Sequence, residues 1–257
     1  MSIFRKLIDF YIDASLHIGL AVMSLVYVTL MSTNLSESIG YSFCVFFGTV
    51  VAYNFLKYVE LIVVKKTITR KMMAIIGITL LSFLAFLFCF FSLKRSIQIQ
   101  IVGAGLLVLL YPFLRKHGWL KLFLVSLVIT IVTVYIPFFL RKPIELDYYI
   151  TLIQRLLFIT SLMIPFEIYD SQFDHQALNT IPQRIGIRNA KLFGMLLIIP
   201  FIVLEFLKIN SSLIVIPIGL ITVLAIHFTT LQKGKFYTSF WVESIPILWL
   251  LLFSFFK

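Results

Sequence analysis

The run LLFITSLMIPFEIYDSQFDHQALNTIPQRIG, residues Leu156–Gly186, changes from apolar to acidic within one helical turn. Its first part is apolar enough to lie in a bilayer, and Glu167, Asp170 and Asp174 follow at spacings of three and four. This spacing places the three carboxylates on one face of a helix. Acidic groups at membrane depth are costly and mark a functional site by default. A bound cation would relieve their mutual repulsion, and Mg²⁺ is suitable because it prefers carboxylates together with phosphate oxygens.

A structural alternative explains the same acids. They would form a solvated helix end, paired with Arg184 or Arg188 in the segment that follows. Ion pairs of this kind are common at helix ends and contribute little to stability. The spacing of the acids by itself leaves both interpretations open.

The composition places the run in a membrane protein. Of 257 residues, 61% are hydrophobic and only 13% are charged, with a mean hydropathy of +1.04. No soluble domain needs so much apolar surface. The net charge of +11 is therefore interpreted as basic loops that fix orientation, not as a nucleic-acid surface. Cys44 and Cys89 lie in apolar runs and are expected to be buried free thiols.

Apolar stretches of membrane-crossing length recur along the whole chain. Because they are continuous rather than alternating, they predict helices and not a barrel. We expect an all-α integral membrane protein with nine transmembrane helices bundled around a central cavity. The whole of 1–257 is one domain, and 1–13 is an interfacial amphipathic lead-in. The predicted spans are 14–32, 38–58, 72–92, 97–114, 119–140, 148–169, 190–207, 211–231 and 238–256.

The basic residues predict the orientation of these spans. With an odd number of spans and a cytoplasmic N-terminus, 15 of the 22 lysines and arginines lie inside, and Arg155 falls within the sixth span. The ends of spans 2, 4 and 6 then all face the cytoplasm, where they could meet at one cavity. Six basic residues lie outside: Lys94, Arg95, Arg141, Lys142, Lys208 and Lys257.

The end of span 4 carries a second polar group, in Tyr111-Pro-Phe-Leu-Arg115-Lys116. Tyr111 and Arg115 share a face if the helix continues past Pro112. Arginine makes bidentate phosphate contacts, so the group is a candidate diphosphate site. The alternative is an aromatic belt residue beside a positive-inside anchor.

The end of span 2 carries a third group. Asn54, Lys57 and Glu60 recur every three residues. A polar site and an interfacial Lys57–Glu60 ion pair are both compatible with this spacing.

Three further polar positions stand out in the apolar background. Glu243 lies inside the last span and either completes a cavity or pairs with a basic group. Glu205 and Lys208 are predicted to form an ion pair at the outer interface. Arg155 is predicted to snorkel, or to pair with an acid such as Glu145 or Asp147.

The three groups, in this order on spans 2, 4 and 6, resemble the motifs of the UbiA superfamily of intramembrane prenyltransferases. The resemblance covers nearly the whole chain and implies nine helices with aspartate-rich motifs after helices 2 and 6. The second of these has the form D-x-x-x-D, followed by a Thr-Leu-Pro stretch and a glycine. Asp170, Asp174, Thr180, Pro182 and Gly186 fit that form.

The first and the middle motif fit less closely. The family's Tyr-x-x-x-Lys is matched by Tyr111 and Arg115. Of the family's N-D-x-x-D, only Asn54 is present, because Phe55 and Tyr58 stand where the aspartates would be. Those acids help to hold Mg²⁺ on the prenyl diphosphate, so part of one metal's ligand shell is missing.

We hypothesise that Lys57, one turn after Asn54, contacts the diphosphate in place of that metal. The resemblance then implies a single Mg²⁺ on Asp170 and Asp174, with Glu167 as a third possible ligand. Asp170, Asp174 and Asn54 are the expected catalytic residues. The expected diphosphate-binding residues are Arg115, Tyr111, Lys57, Lys116 and Arg184.

The resemblance implies a Mg²⁺-dependent prenyltransferase of the bacterial inner (plasma) membrane. Its substrates would be a prenyl diphosphate and a lipid-soluble, aromatic acceptor, and its surroundings membrane lipid, with no nucleic acid. An alternative is a catalytically degenerate protein of the same fold that binds an isoprenoid or serves a membrane complex. A second alternative is an unrelated ion-coupled transporter. Mg²⁺-dependent diphosphate release, isoprenoid binding without turnover, and gradient-driven uptake distinguish the three.

Overall fold

The computed structural model describes residues 3–32, 39–65, 69–114, 118–139, 146–173 and 178–256. The regular structure within these ranges is helical, which confirms the predicted all-α class. The helices are α1 (Ile3–Asp13), α2 (Leu16–Ser32), α3 (Ile39–Lys65), α4 (Arg70–Phe91), α5 (Arg95–Leu114), α6 (Gly118–Thr130), α7 (Ile136–Phe139), α8 (Leu146–Asp170), α9 (Ile181–Val203), α10 (Val215–His227), α11 (Gly234–Phe236) and α12 (Ile245–Phe256). A π-helical segment, Ile131–Tyr135, joins α6 to α7, and another, Tyr237–Val242, precedes α12.

Seven helical segments within the described ranges are long and apolar enough to cross a membrane. The bent pair α1–α2 adds an eighth if it is counted as one span. α10 has 13 residues, about 20 Å of helix, which is short of the roughly 30 Å hydrocarbon core. The chain is therefore an integral membrane protein, while the count of nine spans stays a prediction. The seven segments are Ile39–Tyr58, Arg70–Phe91, Arg95–Leu114, Gly118–Phe139, Leu146–Asp170, Ile181–Leu207 and Leu231–Phe256.

α8 is the most enclosed of these spans, and it contacts α6, α9 and α10. Its Phe158 is fully buried and stacks on Phe201 of α9, with the ring centroids 5.2 Å apart. Trp249 of α12 meets both rings edge-on. α4, by contrast, exposes large apolar side chains such as Phe88, as a lipid-facing helix does. The bundle is therefore organised around the helix that carries the acidic run.

We name the two ends of the bundle after the termini of α8. The Asp147 end holds the start of α8 and the Glu205–Lys208 ion pair. The sequence predicted this pair, and the Glu205 Oε2 and Lys208 Nζ atoms lie 2.9 Å apart. The Asp170 end holds the start of α9 and the break between α1 and α2. At that break the axis bends by 65° and Ser15 adopts a φ of 58°.

The two cysteines are free thiols as expected, but only Cys44 is buried as the sequence predicted. Cys89 is half-buried. Neither is therefore part of a disulfide.

Candidate functional site

The last turns of α8 carry Glu167 and Asp170, but the two carboxylates have different surroundings. Glu167 is buried, and its Oε1 lies 3.1 Å from the Lys121 ammonium of α6, which is also buried. Asp170 is half-buried and ends the helix. The Glu167 carboxylate, predicted to bind Mg²⁺, is thus engaged in an ion pair that ties α8 to α6.

The described carboxylates do not form a Mg²⁺ site by themselves. In the part of the chain that the structure describes, no three His, Cys, Asp or Glu side chains are grouped so that they could hold a metal ion. Asp174, the second acid of the D-x-x-x-D motif, lies outside the described residues. Glu167 and Asp170 are therefore the two predicted ligands that the structure describes.

The start of α9 gives each matching residue of the motif a structural role. Thr180 is the N-cap, and its N–H donates to Gln183 Oε1 at 3.0 Å, as in a capping box. Pro182 lies in the first turn, where a missing N–H costs nothing. Gly186 interrupts the helix with a φ of +79°, a conformation that favours glycine. Arg184, a predicted diphosphate ligand, is exposed on the same first turn.

The backbone before α9 packs directly against the first residue of α6. A Cβ added to Gly118 would lie 2.4 Å from the Leu178 carbonyl oxygen and 2.6 Å from the Thr180 nitrogen. Both are backbone atoms, so neither can rotate away. Gly118 therefore sets how closely α6 approaches the segment that follows the acidic run.

We expect Gly118→Ala to lower the free energy of unfolding by about 3 kcal/mol, since overpacking against a fixed backbone forces a shift. The melting temperature of the variant in detergent measures this loss of stability. Gly77→Ala on α4 is the matched control, because the added Cβ there meets no atom within 4 Å. Equal melting temperatures for the two variants would contradict this packing.

The polar residues at the end of α3 bind the main chain of the α1–α2 break. Asn54 Nδ2 donates to the Ala14 carbonyl at 3.0 Å, and Tyr58 Oη donates to the Asp13 carbonyl at 2.8 Å. Lys57 Nζ also donates to the Asp13 carbonyl, at 3.2 Å. The last carbonyls of a helix have no partners within it, so these three side chains cap α1. Sequence reasoning did not find this role, since nothing in the sequence connects Asn54 with Ala14.

Two more lysines meet the same break from other elements. Lys71, at the start of α4, and Lys235, in α11, each contact the Asp13 carboxylate, Lys235 at 2.6 Å. A cavity of about 240 Å³ opens beside them and is also lined by Asp9 and Phe236. Together with Lys57, three ammonium groups from three separate elements converge on Asp13. We call Lys57, Lys71 and Lys235 the lysine cluster.

Glu243, in the last span, lies close to the lysine cluster. It interacts electrostatically with Lys57 and Lys235. Tyr53 of α3 is within electrostatic range of both Glu243 and Tyr111 of α5. The ends of α3 and α5 and the start of the last span are thus neighbours. Glu243 could be identified from the sequence because it is an acidic residue inside an apolar segment.

The segment between α10 and α11 links this region to the end of α8. Gln172 Nε2, two residues beyond Asp170, donates to the Leu231 carbonyl at 3.0 Å. Four residues after Leu231, Lys235 reaches Asp13. Of the predicted site residues, Asn54, Lys57, Tyr111 and Asp170 thus lie at the Asp170 end. Arg115 and Lys116 lie outside the described residues, as does the side chain of Glu60.

Comparison with known proteins identifies the fold. No protein-family model matches the chain, and no curated protein matches it. A solved structure, described as the apo structure of a UbiA homolog from Aeropyrum pernix K1, matches with a TM-score of 0.64 at 12% sequence identity. The match covers 92% of this chain and 97% of that one. At this identity the likeness concerns the fold and does not transfer chemistry. The chain thus has the fold of that UbiA homolog, as the resemblance in the sequence implied.

Proposed function

We propose that this protein binds a prenyl diphosphate at the Asp170 end and transfers the prenyl group to a lipid-soluble aromatic acceptor. The observation that carries the proposal is the lysine cluster. Its three ammonium groups meet at one residue, Asp13, at the same end of the bundle as Asp170. A diphosphate is the kind of ligand that several converging cations accommodate.

The reaction explains why cations are needed there. The bond between the first prenyl carbon and the diphosphate oxygen breaks, and the electron pair leaves with the diphosphate. The acceptor carbon then bonds to the prenyl carbon and releases its proton. Groups fixed in advance where negative charge develops stabilise such a transition state. We propose that Lys57, Lys71 and Lys235 perform this task, alongside a Mg²⁺ that Asp170 and Asp174 would hold.

The remaining predicted residues keep their proposed roles at the same end. Asp170, Asp174 and Asn54 are the proposed catalytic residues. Arg115, Tyr111, Lys116 and Arg184 are proposed to contact the diphosphate together with Lys57. We also propose that this end faces the cytoplasm of a bacterial inner membrane, since the predicted nine-span topology places 15 of the 22 basic residues on its side.

A second candidate function is isoprenoid binding without turnover. Two contacts favour it. Tyr58, which stands at an aspartate position of the first motif, bonds the main chain, and Glu167 is paired with Lys121. Residues at both acidic motifs therefore connect neighbouring helices of the bundle.

The experiment that separates the two candidates uses the purified protein in lipid nanodiscs with a labelled prenyl diphosphate and a lipid extract. Release of diphosphate and a labelled lipid product are expected for the enzyme. Binding without release identifies the non-catalytic binder, and absence of binding contradicts both. A parallel reaction with EDTA shows whether the lysines suffice. Activity lost with EDTA and restored by Mg²⁺ supports the metal predicted from Asp170 and Asp174.

A further inference from the structure

Arg155 of α8 is a buried cation whose hydrogen bonds are mostly unmade. The residue is 2% exposed and lies in the half of α8 toward the Asp147 end. Its Nη2 donates to Thr29 Oγ1 at 2.9 Å, and the guanidinium lies 5.0 Å from the ring centroid of Trp249. Its Nε and Nη1 are buried and have no hydrogen-bond partner.

The carboxylates described near this end are engaged elsewhere, and Glu145, the other acid that the sequence suggested as a partner, lies outside the described residues. Asp147, which the sequence suggested as a partner, accepts the backbone N–H groups of Ile209 and Asn210. Glu205 pairs with Lys208 and accepts a hydrogen bond from Gln154. No ion pair is found for Arg155 among the described residues.

An unpaired charge inside a bundle is expensive, because the interior cannot replace the water that solvated it. A guanidinium remains charged, since arginine is not deprotonated in proteins. The described residues therefore supply no counter-charge, and a bound anion would.

A cavity of about 810 Å³ lies at the Asp147 end; Arg155 does not line it, but the residues that contact its guanidinium lie one helical turn from the cavity wall. On α2, Thr29 contacts the guanidinium, and Ser32, three residues on, lines the cavity. On α12, Trp249 contacts the guanidinium, and Phe253, four residues on, lines the cavity. Residues three or four apart share a helix face, so the same faces lead from the guanidinium to the cavity.

The direction of the Arg155 side chain agrees with this path. Long side chains on a helix point toward its N-terminus, which for α8 is the Asp147 end. The cavity walls are mainly apolar, while serine and asparagine side chains line its polar part. The site thus combines a buried cation with apolar walls and polar groups, which is the pattern of an amphiphile and not of a free ion. The polar residues are Ser32, Asn210, Ser211 and Ser212.

We propose that this cavity binds an anionic membrane phospholipid whose phosphate lies on the side of the cavity toward Arg155 and supplies its counter-charge. Its acyl chains would lie along apolar wall residues such as Leu213 and Leu252. Fifteen residues of α8 separate Arg155 from Asp170, a rise of about 22 Å. The lipid site is thus distinct from the proposed diphosphate site and does not depend on the proposed function.

The test compares wild type with Arg155→Met in delipidated detergent micelles. Native mass spectrometry counts bound phosphatidylglycerol and phosphatidylcholine, and thermal unfolding measures the stabilisation by each lipid. We expect wild type to retain phosphatidylglycerol in preference to phosphatidylcholine, and Arg155→Met to bind it at least tenfold more weakly. Lys94→Met is the matched control, since it removes an exposed cation just beyond the end of α4 that is opposite Lys71, and it should bind like wild type.

Two further measurements test the lipid assignment. Leu213→Trp partly fills the cavity without touching Arg155 and should also weaken phosphatidylglycerol binding, even if Arg155→Met fails to fold. Inorganic phosphate replaces the lipid in the other measurement. Stabilisation by phosphate alone that depends on Arg155 would assign the site to a free anion and overturn the lipid assignment. Equal lipid binding by wild type and Leu213→Trp would overturn it as well.

Discussion

Replacing Lys57 by methionine is expected to weaken the binding of a prenyl diphosphate by roughly tenfold to a hundredfold. The Lys57 ammonium bonds neutral carbonyls and forms no ion pair among the described residues, so its charge is available to a ligand, and a hydrogen bond to a charged group contributes about 1.5–3 kcal/mol. Methionine keeps most of the apolar stem and removes the charge. Equilibrium binding of a labelled prenyl diphosphate to protein in nanodiscs measures the change.

Tyr58→Phe is the matched control for this prediction. The Tyr58 hydroxyl bonds the same Asp13 carbonyl as Lys57, so the variant loosens the same attachment without altering charge. We expect its affinity to stay within about twofold of wild type, since no charged hydrogen bond is lost. If both variants bind equally poorly, the lysine acts only by holding the α1–α2 break. If Lys57→Met binds as well as wild type, the lysine cluster does not bind the ligand.

The second large effect is expected at the buried pair between α6 and α8. Glu167→Gln removes the carboxylate 3.1 Å from the Lys121 ammonium, and both side chains are less than one-tenth exposed. Removing one partner of a buried ion pair costs about 3–5 kcal/mol, because the other charge stays in the apolar interior. Unfolding of the protein in mixed micelles with increasing SDS measures the loss.

The double variant Lys121→Met/Glu167→Leu tests the cause of that loss. Replacing both partners by apolar residues of similar size is often nearly neutral, so we expect it to recover most of the stability. A Glu167→Gln protein as stable as wild type, with an altered Mg²⁺ requirement, would instead favour the predicted role of Glu167 as a metal ligand.

The motif after span 6 shows how much local structure a sequence pattern can predict. Thr180, Pro182 and Gly186 were chosen from their order along the chain, and each has a conformational role at the start of α9. These roles are local, since capping, a first-turn proline and a positive φ depend on neighbouring residues. The pattern was therefore visible without a tertiary structure.

The motif after span 2 shows the opposite case. Asn54 was matched to the family by its residue type alone. In the structure its amide donates to the Ala14 carbonyl, 40 residues earlier in the chain, and to Thr79. Lys57 was expected to meet a ligand or Glu60, and it meets the main chain of α1. Such contacts depend on which helices are neighbours, which the spacing within one helix does not specify.

The sequence by itself determined that this chain is a bundle of membrane helices with polar groups concentrated near the ends of particular spans. The hydrophobic effect acts on each segment separately, so apolar length and charge distribution are readable one segment at a time. The tertiary structure alone decided that Asp13 meets Lys235 across 222 residues, that Glu167 pairs with Lys121, and that Arg155 has no carboxylate partner in the described chain. Those pairings arise from helix packing, in which residues distant in the chain compete for the same few buried partners.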